Sequence, residues 1–327
     1  MKTKDCFQRY ASSLPPKLCI MSIKSFRDAV KPWMLPIAMI LGILFHNYIG
    51  YISFLSKYII FIMLLITYSR LKLNDLHAGR YILWLLLVQT AGAVAAYLIL
   101  RPANEIVAQG AFICIFCPTA TAAPVITSML GGSLSKVTTY SLFSNITVAL
   151  LAPPLLSWMG PMGGVETSFS FTSSLYTIAV TVLPMILGPL VLAVLMERFT
   201  PVAHKALSTH QGLSFYIWAF ALIIVVGNSV SFILREPSEM ITTILMLAGI
   251  SLLMCIFQFA TGRSIGKRFG DPISGAQSLG QKNTVLAIWM ALTYLNPIIS
   301  VAPAAYVAWH NTINSWQIYR HEKHCRH

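Results

Sequence analysis

The chain is organised as long apolar runs separated by short polar connectors. Ten runs, each close to the ~20 residues that a helix needs to cross a bilayer, occupy residues 33–50, 54–69, 81–100, 105–130, 135–158, 173–196, 213–233, 241–261, 273–296 and 298–318. A transmembrane β-barrel would instead show segments of about 10 residues with alternating polarity. The pattern predicts an all-α polytopic membrane protein with ten transmembrane helices.

Composition supports the same class of protein. Of the 327 residues, 56% are hydrophobic and only 10% are charged, and the mean hydropathy is +0.70. A soluble domain carries about 25% charged residues, so this chain has too few to cover a soluble surface. The net charge of +13 lies mostly in the tails and connectors, where basic residues set membrane orientation. The charge therefore does not indicate a nucleic-acid partner.

The positions of the basic residues predict the orientation of the chain. If every run crosses once, both tails and the connectors after the second, fourth, sixth and eighth runs share one side. The opposite side receives only Lys57, Arg101 and Arg235. Cytoplasmic segments are enriched in Lys and Arg, so both termini are predicted to be cytoplasmic. The expected location is the cell membrane, specifically a bacterial inner membrane.

The ten runs divide into two sets of five at a connector that contains glycine and proline, GPMGGVETS. The predicted organisation is a basic N-terminal tail (1–32), a first five-helix repeat (33–158), a connector (159–172), a second repeat (173–318) and a C-terminal tail (319–327). Because five is odd, two similar halves would be inverted, which is typical of transporters with a site near the bilayer midplane. For the N-terminal tail, an interfacial helix and disorder stay equal alternatives.

The fourth run of each half is interrupted. Pro118 and Pro124 lie in the first, and Gly275 and Gly280 lie in the second. Proline removes a backbone donor, and broken helices persist in a membrane where the freed groups are buried in protein or line a cavity. A simple kink is the alternative for the prolines. Breaks at matching positions favour two broken, crossing helices that form a binding site.

Lys282 lies inside the second of these interrupted runs. The apolar stretch after it, Val285 to Leu295, is 11 residues long. It would span about 16 Å of the ~30 Å hydrocarbon core. Asn296-Pro297 follows, so the span must begin near Pro272, which places Lys282 within the membrane rather than in a cytoplasmic loop. An embedded ammonium is costly and usually functional.

No acidic residue falls deep within a predicted run, so Lys282 lacks an obvious carboxylate partner. Three alternatives stay open. The lysine loses its proton because burial disfavours the charged form. It is held by helix C-terminal carbonyls and by Gln89. Or it pairs with an anionic substrate.

The runs contain no constellation typical of an enzyme. We find no His-x-x-x-His pair, no paired carboxylates and no Ser–His set, so an enzyme is not expected. Cys114 and Cys117 have C-x-x-C spacing without a second pair, which favours core packing over a metal site. Asn145 and Gln258 lie within runs, where helix–helix hydrogen bonds and substrate contacts are both open.

The motifs CPTATAAP and SLGQKN, together with Gln89 and the ten-run layout, resemble the bile acid:sodium symporter family, as a divergent bacterial member. The resemblance implies a panel domain from spans one, two, six and seven and a core domain from the remaining six spans, with the two broken helices crossing in the core. It also implies alternating-access transport of bile-acid-like compounds, other carboxylates or sulfonated compounds, usually with sodium.

The chain departs from the family at the implied sodium ligands. A Ser-Asn pair of the family is replaced by Ala123 and Pro124, its glutamate by Ser278 and its glutamine by Lys282. Asn283 is retained. Most sodium ligands are therefore missing, and sodium as a cofactor is disfavoured.

The expected function is secondary active transport of a small organic anion, sodium-independent or proton-linked, with the Lys282 ammonium in place of a sodium ion. A sodium-coupled symporter with altered ligands and a transport-dead sensor or scaffold are the alternatives. No catalytic or metal-binding residue is predicted. The predicted substrate- and ion-binding residues are Lys282, Ser278, Gln281, Asn283, Gln89, Thr119, Thr121, Pro124, Thr138, Ser141, Asn145 and Gln258.

Overall fold

The computed structural model describes residues 34–69, 79–120, 122–159, 171–209, 211–234 and 240–325. All regular elements in these ranges are helical. The α-helices are α1 (Met34–Leu44), α2 (His46–Ile49), α3 (Leu55–Tyr68), α4 (Arg80–Leu100), α5 (Glu105–Phe116), α6 (Ala123–Met129), α7 (Leu134–Trp158), α8 (Phe171–Phe199), α9 (Pro201–Thr209), α10 (Gln211–Ile233), α11 (Ile241–Arg268), α12 (Pro272–Gly280), α13 (Thr284–Tyr294) and α14 (Val301–Cys325). Short 3₁₀ turns cover Gly50–Ile52 and Pro297–Ser300.

The protein is an all-α membrane protein. Within the described residues, 4 helices are long and apolar enough to cross a bilayer: Arg80–Leu100, Leu134–Trp158, Leu175–Phe199 and Ile241–Arg268. The pair His46–Ile52 and Leu55–Tyr68, bent by 73°, brings the number to 5 if it forms one span. Large apolar side chains are exposed along these helices, including Leu83 and Ile99, as expected where lipid replaces water. The predicted fold class is confirmed at this level.

Each predicted run contains a helix or a pair of short helices. The runs 105–130 and 273–296 are each divided in two, as predicted, and the run 33–50 is also divided, between α1 and α2. A short helix not predicted from hydropathy, α9, begins at Pro201, which suits the first turn of a helix. Helix α14 continues past 318 into the predicted C-terminal tail, because residues 319–325 contain no glycine or proline to end it. The predicted N-terminal tail and most of the connector 159–172 lie outside the described residues.

The helices pack in two groups. In the first group α10 packs against α1, α2 and α3, and α8 packs against α3. Helices α4 to α7 and α11 to α14 form the second group, of which α7 also packs extensively against α8. The main contacts between the groups run from α7 to α8 and from α10 to α13. The two broken helix pairs, α5–α6 and α12–α13, both belong to the second group.

Glycine allows α11 and α12 to pack with their backbones in contact. A Cβ atom added at Gly275 would meet the carbonyl oxygen of Gly262 and the backbone of Gly266, with Gly266 Cα only 2.7 Å away. A Cβ added at Gly262 would in turn meet the backbone of Gly275. Small residues at such a contact are typical of helix packing in membranes. This close packing fixes the position of α12 and of the break that follows it.

Asp271 begins α12 as its N-cap. Its carboxylate accepts hydrogen bonds from the backbone N–H groups of Ser274 (2.9 Å) and Ser133 (3.3 Å) and pairs with Lys136 at 3.5 Å. Burial alone would raise the pKa of this carboxyl, but the hydrogen bonds from Ser274 and the charge of Lys136 outweigh it and hold the pKa below its usual value. Asp271 therefore ties the start of α12 to the start of α7.

Candidate functional site

The two helix breaks, between α5 and α6 and between α12 and α13, lie against each other, and their contact is the crossing of the two broken helix pairs. The Ala120 N–H donates to the Gln281 carbonyl at 3.1 Å, and the Asn283 N–H donates to the Pro118 carbonyl at 2.7 Å. These two hydrogen bonds make an antiparallel bridge between Thr119 and Lys282. The extended backbone of each break thus satisfies its polar groups with the other break, which is what a broken helix requires away from water.

Local sequence determines where each helix stops and restarts. Cys117 precedes Pro118 and adopts φ −54° and ψ 146°, as proline disfavours a helical conformation in the residue before it. Pro124 lies in the first turn of α6, so it starts a helix rather than kinking one. Asn283 is the N-cap of α13, and its Oδ1 accepts from the Leu286 N–H at 3.2 Å. Thr121 lies outside the described residues.

The last four carbonyls of α5, which have no partner within the helix, are each bonded by a donor from elsewhere. Three of the donors are side chains, from α4, from α11 and from the break between α12 and α13. The fourth is a backbone N–H of the break that follows α5. The pairs are Cys117 N–H to Ile113 O (3.2 Å), Gln258 Nε2 to Cys114 O (3.1 Å), Lys282 Nζ to Ile115 O (2.7 Å) and Gln89 Nε2 to Phe116 O (2.8 Å). The C-terminal end of α5 is thus the point where these predicted site residues meet.

The end of α12 is bonded in a matching way. Thr119 Oγ1 donates to the Ser278 carbonyl at 2.7 Å, just as Lys282 Nζ donates to the Ile115 carbonyl. The Thr119 side chain therefore bonds to the carbonyl four residues before Lys282, and the Lys282 side chain bonds to the carbonyl four residues before Thr119. Tyr306 OH donates to the carbonyl of Gly280 at 2.9 Å. The two breaks are locally related by a two-fold pattern, with a neutral hydroxyl on one side and an ammonium on the other.

Lys282 is 2% exposed, which excludes an exposed loop position. Its Nζ contacts a carbonyl oxygen at the C-terminal end of α5, where the helix dipole places partial negative charge. Arg101–Glu105 and Lys136–Asp271 are ion pairs of the described residues, and neither includes Lys282. A backbone carbonyl rather than a carboxylate thus faces Nζ, as the second of the three alternatives above requires; loss of the proton and pairing with an anionic substrate stay open beside it.

Gln89 is fixed by hydrogen bonds at both ends of its amide. Its Oε1 accepts from Tyr140 OH at 2.5 Å and from Ser144 Oγ at 2.8 Å, while its Nε2 binds the end of α5. Sequence reasoning missed Tyr140, Ser144 and Tyr306 as parts of this site. The signal that could have found the first two is their spacing of four, which places both hydroxyls on one face of α7.

The remaining predicted residues are less closely connected to the bridge. Ser278 Oγ lies 3.4 Å from Tyr81 OH, and Asn145 Nδ2 donates to the Ser141 carbonyl within α7 at 2.7 Å. Thr138 lies in the first turn of α7, where its hydroxyl donates to the Leu134 carbonyl at 2.8 Å rather than to a group of the bridge.

A chain of glutamines leads away from the bridge. Gln281 Nε2 donates to Gln277 Oε1 at 2.5 Å, and Gln277 Nε2 donates to Gln317 Oε1 at 2.8 Å. Gln277 and Gln281 are buried, whereas Gln317 is half-buried near the end of α14. Polar side chains therefore connect the break beside Lys282 to the outer surface of the helix bundle.

The crossing offers a poor site for sodium. Asn145 Oδ1 and Gln258 Oε1 are buried oxygens with no hydrogen-bond partner among the described residues, and such oxygens suit a hard cation. However, the described part of the chain places no carboxylate ion-paired with Lys282, whose ammonium already binds the carbonyl end of α5. The free thiols Cys114 and Cys117 are buried in the apolar core. The described residues contain no group of three His, Cys, Asp or Glu that could hold a metal ion.

No protein-family model matches the chain, and a search of curated proteins finds no match.

Proposed function

We propose that the protein is a secondary active transporter of a small organic anion that works without sodium, because the Lys282 ammonium takes the place of a bound cation. The observation that carries the proposal is the Lys282 side chain, buried at the crossed breaks with its Nζ 2.7 Å from the Ile115 carbonyl. An ammonium buried without a carboxylate is costly, and such residues in membranes mark substrate or ion pathways.

The helix arrangement supports ten crossings in two inverted repeats. Every predicted run contains a helix or a broken pair, and the two breaks belong to the fourth run of each half. The reciprocal bonds from Thr119 to Ser278 and from Lys282 to Ile115 are those expected of two halves related by a two-fold axis. The grouping of the helices supports the division into panel and core domains that the family resemblance implies.

The charge at the crossing favours an anionic substrate. The carbonyl end of α5 carries roughly half a negative charge, which offsets only part of the lysine charge. The positive potential that is left is strong in a low-dielectric surrounding and attracts an anion while repelling a second cation. The same potential disfavours sodium at the crossing, so coupling is to a proton or absent.

Alternating access would move the two helix groups relative to each other. The second group is cross-linked at its centre by the bridge, by the four bonds at the end of α5 and by the α11–α12 backbone contact. It would therefore move as one body. Relative motion would occur at the contacts from α7 to α8 and from α10 to α13.

Uptake into proteoliposomes tests the proposal. Carboxylates and sulfonates, including taurocholate, would first be screened by thermal shift, and the compounds that stabilise the protein would be used as labelled probes under sodium, potassium and pH gradients. We expect uptake with equal rates in sodium and potassium and its loss in Lys282→Gln. The control is Lys267→Gln, which removes an exposed lysine of α11.

Two results would overturn the proposal. Strong stimulation by sodium together with normal uptake in Lys282→Gln would indicate a sodium-coupled symporter. Stabilising compounds that are bound but never transported would indicate a sensor or scaffold.

A further inference from the structure

A cavity of about 700 Å³ lies between α11, α12 and α14, away from the bridge between the two breaks. Arg263 of α11 and Arg320 and His321 of α14 line one part of it. Ile256 and Ile313 line another part. We propose that this cavity binds an anionic phospholipid, with the phosphate at the two arginines and an acyl chain along the apolar wall.

The cavity is graded from basic to apolar along two helices. Arg263 follows Ile256 by seven residues on α11, and Arg320 follows Ile313 by seven residues on α14. Seven residues rise about 10 Å along a helix. The change from charged to apolar lining over this length matches the change from headgroup to acyl chain at one face of a bilayer.

The apolar part of the cavity adjoins a surface that faces lipid. Leu253, Ile256 and Phe257 on α11 are all exposed, the first of them 58%. At the basic end, the Arg320 guanidinium lies 4.9 Å from the ring centre of the exposed Trp316. Tryptophan and arginine together are typical of the interface between water and lipid. An acyl chain can thus enter the cavity from the lipid-facing surface. A small soluble anion would not need such an opening.

Charge and geometry favour a phosphate. The described residues that line the cavity include two arginines and no aspartate or glutamate. Arginine presents paired N–H donors that match phosphate oxygens, and basic cavities between helices are known lipid headgroup sites. Gln317 also lines the cavity and accepts from Gln277, so the glutamine chain that ends at Gln281 begins at the wall of this cavity.

Native mass spectrometry of the purified full-length chain tests the proposal. The protein would be titrated with dioleoyl-phosphatidylglycerol and, separately, with dioleoyl-phosphatidylcholine. We expect tighter binding of phosphatidylglycerol and a loss of about fivefold in its affinity for each of Arg263→Gln and Arg320→Gln. Lys267→Gln, which removes an exposed charge of α11 outside the cavity, should keep the wild-type affinity.

A second variant separates lipid from a free anion without removing charge. Ala260 lines the cavity and is exposed, so Ala260→Trp should fill the apolar part and weaken phosphatidylglycerol binding while the chain still folds. Glycerol 3-phosphate should compete weakly, because it lacks acyl chains. Equal binding of both lipids, equal losses in Lys267→Gln, no effect of Ala260→Trp, or full competition by glycerol 3-phosphate would each overturn the proposal.

Discussion

Replacing Lys282 with methionine should remove the proposed function without unfolding the protein. The variant keeps an unbranched side chain of similar length in a position that is 2% exposed. It gives up one hydrogen bond from an ammonium to the Ile115 carbonyl, worth about 1.5–3 kcal/mol. It also relieves the burial of a charge without a carboxylate partner, which costs several kcal/mol after relaxation. The burial cost that is removed exceeds the hydrogen-bond energy that is lost, so the free energy of unfolding should stay unchanged or rise by about 1–4 kcal/mol.

Unfolding in mixed micelles with increasing dodecyl sulfate measures this change, and labelled-anion uptake measures function in parallel. Lys282→Ala is the matched comparison, because it also deletes the buried stem and should be less stable than the methionine variant by about 2–4 kcal/mol. If Lys282→Met lowered the free energy of unfolding by more than about 2 kcal/mol, the lysine would be a stabilising hydrogen-bond donor without a burial penalty. That result would refute the argument that Lys282 holds a buried charge at a cost in stability.

Three further predictions concern the scaffold around the site. Gly275→Ala should destabilise the protein by about 1–3 kcal/mol in the same unfolding assay, since its Cβ would meet backbone, whereas Gly249→Ala on α11 has open space and should be neutral or slightly stabilising. Asp271→Ala should cost about 0.5–2 kcal/mol at neutral pH. Because the folded pKa of Asp271 is lowered, its contribution is present above the unfolded value of about 3.9 and disappears as pH falls through the folded value, so wild type and variant should converge in acid. Gln89→Leu leaves three buried partners unpaired and should cost about 3 kcal/mol or more, against about 1 kcal/mol for Tyr140→Phe; equal losses would contradict this account of the cluster.

Hydropathy was enough to place most of the helices, because a bilayer requires long apolar helices whatever their packing; α9 and the extension of α14 beyond residue 318 are the exceptions. The first break was also predictable, since Pro118 disfavours a helical conformation at Cys117. The two glycines of the second interrupted run instead belong to α12, where they allow close packing against α11. The burial of Lys282 agrees with a length argument, as the 11 apolar residues after it cannot cross alone.

The partners of these residues were not predictable in the same way. The carbonyl that Lys282 reaches is determined by the contact between two breaks that lie more than 150 residues apart in the chain. A single sequence does not show which distant segments come into contact. Pro124 is predicted to interrupt its run, whereas it lies in the first turn of α6, because a proline can either end or start a helix. Thr138 lies in the first turn of α7, and a single sequence does not show how far along its helix a site residue lies from the break.

Direct binding of ²²Na⁺ to the purified protein tests the central claim most directly. If the Lys282 ammonium fills the place of a cation, the wild-type protein should show no saturable sodium binding, and Lys282→Gln should bind no less sodium than the wild type. Saturable sodium binding to the wild-type protein, with Lys282 in place, would contradict the claim.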